Sequence, residues 1–406
     1  MSTKMFDINS IVSEGAKLLG VGAEEGSDWE IPTNHSDPID LVVGMPSPSH
    51  MPFASMSRLI SESIESGDPA VMEYEYGRGN PVLRGILKDE KYGFTDFPSN
   101  EDQFILFNGS SGCMESFCAT FVDYGDVVIV EGPSFPGTVE TILKYRGEIK
   151  EVSIDSEGAS IDRIKSIVLE SEKRDKRVKG LYVIPDFHNP VGVTMSLERR
   201  REIATFCLKK DILIVEDSTY SGLYFKSPPP PSLYSINRGL GVLRMGTFSK
   251  TIATGLRLGW MQGEESAIEA MRRTRSDMGN APFIQSAVAE FIRSGEFENH
   301  VRQMRLLYGD QCSALSDSLE EYCGDYLEFE RSGGGFFLWP RALEGDSMPL
   351  TRAAAEEGLI FPDGVLFYQD SSMHNNNVRM AFSGNSAEKL AEVGPRLRAA
   401  FERVLD

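Results

Sequence analysis

The feature that most restricts this chain is a succession of seven short apolar runs between about Phe104 and Gly263. They are Phe104–Phe107, Val127–Glu131, Ile149–Ile154, Leu181–Pro185, Ile212–Glu216, Val242–Met245 and Leu258–Gln262. Each has the length of a strand, and patterns of helical period lie between several of them, as in Ser196–Lys210. Apolar strands that alternate with helices predict a mostly parallel sheet covered on both faces. Within Met114–Tyr124, the residues Met114, Phe117, Cys118, Phe121 and Val122 fall on one helical face, and Gly125 is the expected stop.

Beyond Asn280 the pattern changes. Long amphipathic stretches, about Phe283–Gly295 and Glu298–Tyr322, precede strand-like Phe336–Trp339 and Val378–Phe382. This reads as an α+β segment and a second, smaller domain, as a chain of 406 residues is too long for one comfortable core. Ser227–Ser232 holds four consecutive prolines and must be a loop. The expected division is an N-terminal arm joined to part of the small domain over 1–45, a large domain over 46–290 and a C-terminal small domain over 291–406.

Charge and cysteine content exclude several classes. Lys and Arg number 41 against 61 Asp and Glu, a net charge of −20. Such a surface repels nucleic acid and anionic membranes. The five cysteines include no C-x-x-C pair, and the five histidines form no H-E-x-x-H, so neither a disulfide framework nor a metal site is expected. No apolar run approaches the ~20 residues of a membrane span. The first twenty residues lack a continuous apolar core, so a leader peptide is not expected and a cytoplasmic location is.

Polar residues gather at the ends of the predicted strands, where open α/β sheets bind ligands. Asn108-Gly109-Ser110-Ser111-Gly112 follows the first run and opens a helix, the arrangement of an anion site. Asn189 follows the fourth run in YVIPDFHNPVG, Asp217 ends the fifth in EDSTY, and Lys250 follows the sixth in GTFSKTIATGLRLGW. Taken singly, each has a plainer reading as a helix cap, a turn or a solvated group. Their coincidence at successive strand ends points to a site. Other phosphate motifs fail: Ser249 and Arg244 replace the glycines a P-loop needs before Lys250-Thr251. After Gly77-Arg78-Gly79, Val82 replaces the third glycine of a dinucleotide fingerprint, and no G-x-S-x-G is present.

These residues resemble the motifs of class I/II aminotransferases, the pyridoxal 5'-phosphate (PLP) enzymes of fold type I. The nearest subgroup is that of 2-aminoadipate/kynurenine and aromatic aminotransferases, which also supplies the C-terminal part of MocR-type regulators. The resemblance runs from about Leu41 to the end. Its most specific parts are Thr247-Phe248-Ser249-Lys250 through Arg257-Leu258-Gly259, and N-P-x-G followed by D-x-x-Y. Supporting matches are Tyr74…Gly79…Leu83-Arg84, Gly334 to Trp339 and Val378 to Ser383.

The resemblance implies a role for each residue. Lys250 forms the internal aldimine and moves the substrate proton. Asp217 pairs with the pyridine nitrogen. Asn189 and Tyr220 bond the ring oxygen, with Asn189 also near the substrate. Phe135 stacks on the ring, where many relatives have Tyr. Ser110, Ser111, Thr247, Ser249 and Arg257 hold the phosphate, with Ser111 standing where many relatives have Gln. Tyr74 reaches the phosphate of a neighbouring subunit, which implies a homodimer with shared sites. Arg379 binds the substrate α-carboxylate, and Gly44 lines the substrate pocket. The implied reaction moves an amino group from an L-amino acid to a 2-oxo acid through a quinonoid and pyridoxamine phosphate. Elimination, replacement, cyclisation or oxidation by the same cofactor is the alternative. An aminotransferase-like regulator is the more distant one, since only about 40 residues precede Leu41, without a basic helix-turn-helix pattern.

Overall fold

A computed structural model describes residues 7–20, 32–75 and 77–405. The parts of the expected N-terminal arm at 1–6 and 21–31 lie outside the described residues.

All seven apolar runs are strands of one eight-stranded sheet. They are β1 (Phe104–Phe107), β2 (Val127–Gly132), β3 (Glu148–Asp155), β5 (Val178–Val183), β6 (Leu213–Asp217), β7 (Val242–Thr247) and β8 (Gly259–Gln262). A two-residue return strand, β4 (Gly158–Ala159), adds the eighth. The order across the sheet is β1-β8-β7-β6-β5-β2-β3-β4. Neighbours from β7 through β3 are parallel, while β8 runs against both β1 and β7. The carboxyl ends of β1, β2, β5, β6 and β7 therefore share one edge.

Both faces of the sheet are buried, as continuous apolar strands require. Val128, Val130, Tyr182 and Val215 face a core with Met114, Phe117 and Cys118 of α1 (Gly109–Phe121). Val127, Ile129, Leu181 and Ile214 face the opposite core. That core is closed by Ile164 and Ile167 of α3 (Ile161–Lys173) and by Ile203 and Cys207 of α4 (Leu197–Lys209). Full burial of each such side chain contributes roughly 1.5–3 kcal/mol. α1 ends at Phe121, before the expected Tyr124, because Val122 is already extended; the chain then turns at Gly125, φ 81°. α2 (Pro136–Lys144) follows β2.

The smaller domain forms where the two ends of the chain meet. α5 (Pro282–Arg293) leads into α6 (Glu296–Cys323), which packs against the helix Val393–Leu405. Ile39–Asp40 pairs in parallel with Leu359–Ile360. The Ala381 N–H then donates to Leu41 O at 2.8 Å. These pairings bring the segment after Leu41 alongside the strand that follows Arg379. Among the described residues no helix is long and apolar enough to cross a membrane.

Candidate active site

Thirteen residues stand out from the sequence, and twelve of them line a single cavity of about 500 Å³ at the carboxyl edge of the sheet. The thirteenth, Tyr74, lies outside that lining and is 73% exposed.

One end of the cavity is built for an anion. Gly109 opens α1 with φ 70°, and a Cβ on Gly259 of β8 would come within 2.7 Å of the Gly109 carbonyl carbon. Two backbones approach here because neither residue has a side chain. Ser110 and Ser111 occupy the first turn of α1, where free N–H groups point outward. The Ser249 N–H donates to Thr247 Oγ1 at 3.1 Å, which folds the loop after β7 back on the strand. Arg257 completes this end in the left-handed region, φ 47°, a conformation that costs a non-glycine residue about 1–3 kcal/mol. The Asn280 amide holds it by donating to Arg257 O at 3.2 Å, and Arg257 Nη2 reaches Asn108 O at 3.4 Å.

The floor carries a buried acid. Asp217 ends β6 and accepts from the Tyr182 hydroxyl at 2.7 Å and from the Thr219 N–H at 3.0 Å. Burial pushes its carboxyl above the usual range, against the pull of Thr219, Tyr182 and the charge of Lys250. Tyr220 is pushed up by burial and by the charge of Asp217, so its hydroxyl stays a donor. The segment leading to Asn189 is pinned from below. Arg200, fully buried, binds Asp186 at 2.5 Å and donates to Pro230 O and Pro231 O of the proline loop. Asp186 also accepts from the hydroxyl of Ser221, beside Tyr220.

Lys250 and Arg379 form the wall towards the smaller domain. Lys250 Nζ donates to Gly44 O at 2.7 Å. A Cβ on Gly44 would overlap the Phe337 ring, so only glycine lets the chain pass here. Burial, helped by the charge of Arg379, lowers the Lys250 amine to about 8, while Asp217 works the other way. Arg379 is 5% exposed and lies between the rings of Phe337 and Phe367, at 4.6 and 4.7 Å. Its Nη1 donates to Asn189 Oδ1 at 3.3 Å and its Nη2 to Val42 O. Burial lowers it to about 10, so it stays a cation at neutral pH.

Several contributors carry no motif. Tyr182 was hidden in an apolar strand, although a tyrosine on a buried strand face needs a partner for its hydroxyl. Val42, Met45, Ile184 and Glu140 line the cavity itself, as does Thr254, which lies inside the Thr247–Gly259 block. Glu140 follows Pro136 by one helical turn, and that spacing is the one signal the sequence offered for it.

The amine, buried acid, exposed ring and anion cradle together fit PLP: the Gly109–Gly259 approach leaves backbone donors for a phosphate, and Asp217 faces the cavity with hydrogen-bond donors but no ion pair among the described residues. The model of aminotransferase class I and II matches residues 79–397. The chain belongs to this family. Its relatives include aromatic-amino-acid aminotransferase 1 of Thermococcus litoralis, 27% identical over 384 residues, 94% of this chain and 92% of that protein. Among solved structures, the multiple substrate aminotransferase of Thermococcus profundus superposes with a TM-score of 0.90 at 26% identity, covering 98% and 99% of the two chains. A kynurenine aminotransferase of Pyrococcus horikoshii, solved in complex with PMP, with KYN as substrates and KYA as products, gives 0.85 at 26% identity over 99% and 98%. This aminotransferase-family chain thus has the fold of PLP fold type I, a large sheet domain with a smaller one, and is related to the aminoadipate, kynurenine and aromatic subgroup.

Proposed function

We propose that the protein is a PLP-dependent aminotransferase that moves an amino group between an L-amino acid and a 2-oxo acid. What supports this is the meeting of Lys250, Asp217 and Arg379 in one cavity beside an anion cradle. PLP, when bound, supplies an electron sink for the negative charge left at the substrate Cα.

The chain's own residues do the rest. Lys250 holds the cofactor and, once displaced by the substrate amine, carries the proton at Cα; an amine near 8 can do so close to neutral pH. The Gly44 carbonyl fixes Nζ in place. Asp217 keeps the ring nitrogen protonated, with Tyr182 and the Thr219 N–H orienting its carboxylate. Asn189 and Tyr220 bond the ring oxygen, Phe135 covers the ring face, and Ser110, Ser111, Thr247, Ser249 and Arg257 hold the phosphate. Arg379 binds the α-carboxylate with its planar fork, which two phenyl rings keep in one orientation. Burial excludes water and strengthens that pairing. Tyr74, exposed in one chain, reaches the phosphate of a second copy in a homodimer.

The test is a half-reaction. Purified holoenzyme mixed with candidate amino acids should convert its cofactor to the amine form and release one equivalent of 2-oxo acid. Ammonia release or oxygen uptake in its place would mean that the same residues serve a different outcome.

A further inference from the structure

Once the proposed roles are assigned, this chain's own lining of the cavity has no cation to spare among the described residues. Lys250, Arg257 and Arg379 are its only basic side chains among the described residues, and each already has a task. The side chain of a substrate would meet Val42, Val43, Met45 and Phe135, of which the last three are about half exposed at 47%, 40% and 39%. The charged group remaining in the lining is Glu140 of α2.

Glu140 stands without a partner among the described residues. It is exposed and makes no ion pair or side-chain hydrogen bond among the described residues. The cation one turn further along its helix, Lys144, is engaged by Glu115 of α1 instead. Among the described residues, the N-terminal segment contributes Val42 to Met45 to the cavity and no basic side chain. From Leu18 to Ser57 the sequence holds no Lys or Arg. A distal carboxylate on a substrate would therefore approach Glu140 with no unassigned cation of this chain's described lining to receive it, and a distal ammonium would meet a partner.

We infer that Glu140 sets the substrate class: the site takes amino acids whose side chain is apolar along its length and cationic at its tip, and disfavours dicarboxylic ones. This rests on the proposed aminotransferase reading. An exposed charge acts moderately, so the preference is a matter of roughly tenfold, not of absolute exclusion.

Three six-carbon donors of nearly the same length test it in the holoenzyme: lysine, norleucine and 2-aminoadipate. Both the cofactor absorbance change on binding and the half-reaction rate are followed, and each is expressed relative to norleucine, so a general loss of function cancels. The wild type should favour lysine over 2-aminoadipate by about tenfold. Glu140→Gln should shrink that ratio to about threefold, and Glu140→Lys should invert it. High salt should compress the wild-type ratio and leave norleucine in place, since an exposed charge is screened. A wild type that prefers 2-aminoadipate, or a ratio that neither variant moves, overturns the inference while leaving transamination intact. If no donor converts the cofactor, the binding ratios alone decide for or against Glu140, and ammonia release or oxygen uptake in place of conversion would count against transamination.

Discussion

The proposed cofactor side of the cavity draws its residues from the carboxyl ends of β1, β2, β5, β6 and β7, each within a few positions of a strand. The substrate side is made by long-range meeting: Arg379 bonds the carbonyl of Val42, 337 residues away, and Lys250 bonds that of Gly44, 206 residues away. The first half is therefore rigid and local, held by a sheet buried on both faces. The second depends on how the two ends of the chain dock on each other through Ile39–Asp40 and Leu359–Ile360. Lys250 belongs to both, since its backbone follows β7 and its amine rests on the N-terminal segment. Substitutions on the cofactor side should thus strike chemistry, and those on the substrate side should strike affinity and docking.

Lys250→Ala should have the largest effect. Turnover should fall by about 10⁴-fold or more, and the absorbance of lysine-bound cofactor should vanish, with the circular dichroism spectrum unchanged. Full activity in that variant would break the comparison at its hinge. Asp217→Asn comes next, with an expected loss in kcat of about 100- to 1000-fold, because the ring nitrogen loses the group that keeps it charged. A loss in KM alone would move Asp217 out of the chemistry.

Arg379→Gln should cost about 2 kcal/mol, roughly 30-fold in kcat/KM, mainly through KM for carboxylate substrates. An unchanged KM removes its assigned role. Gly44→Ala forces a methyl group into the Phe337 ring and should lower stability by about 1–3 kcal/mol, read as a drop in Tm with the cofactor still attached.

The smallest effect is a pH shift that joins the two sides. The Lys250 amine lies near 8, below its ordinary value, so it is protonated below that pH and neutral above it. Capture of added PLP by the apoprotein should speed up by about tenfold per unit as pH rises towards 8, then level off. Arg379 helps to hold that value down, and its removal favours the protonated amine. In Arg379→Gln the levelling point should therefore move to higher pH. A midpoint that stays put would show that the guanidinium and the amine do not feel each other.

The same contrast explains what the sequence revealed. Four strand-end residues or short groups, around Asn108, Asn189, Asp217 and Lys250, could be found because a strand, a turn and a polar residue follow one another in the chain. Their assembly was legible from topology alone, since parallel strands bring their carboxyl ends to one edge. Gly44 and Arg379 were reachable only through resemblance, for nothing local marks a glycine whose neighbour is a ring 293 positions on. Tyr182 and Glu140 were not singled out. One looks like another apolar strand residue and the other like any exposed helix glutamate, and only tertiary packing sets Tyr182 against Asp217 and Glu140 in the cavity lining. Helix ends shifted by a few residues, as at Phe121, because the backbone turns where packing demands it and not where the nearest glycine lies.

The most direct measurement is the chemical address of the cofactor. Holoenzyme reduced with borohydride and digested should carry the added phosphopyridoxyl mass on the peptide containing Lys250, in one copy per chain. That mass on a different lysine, or on none, would contradict the account of the cavity as a cofactor site centred on Lys250.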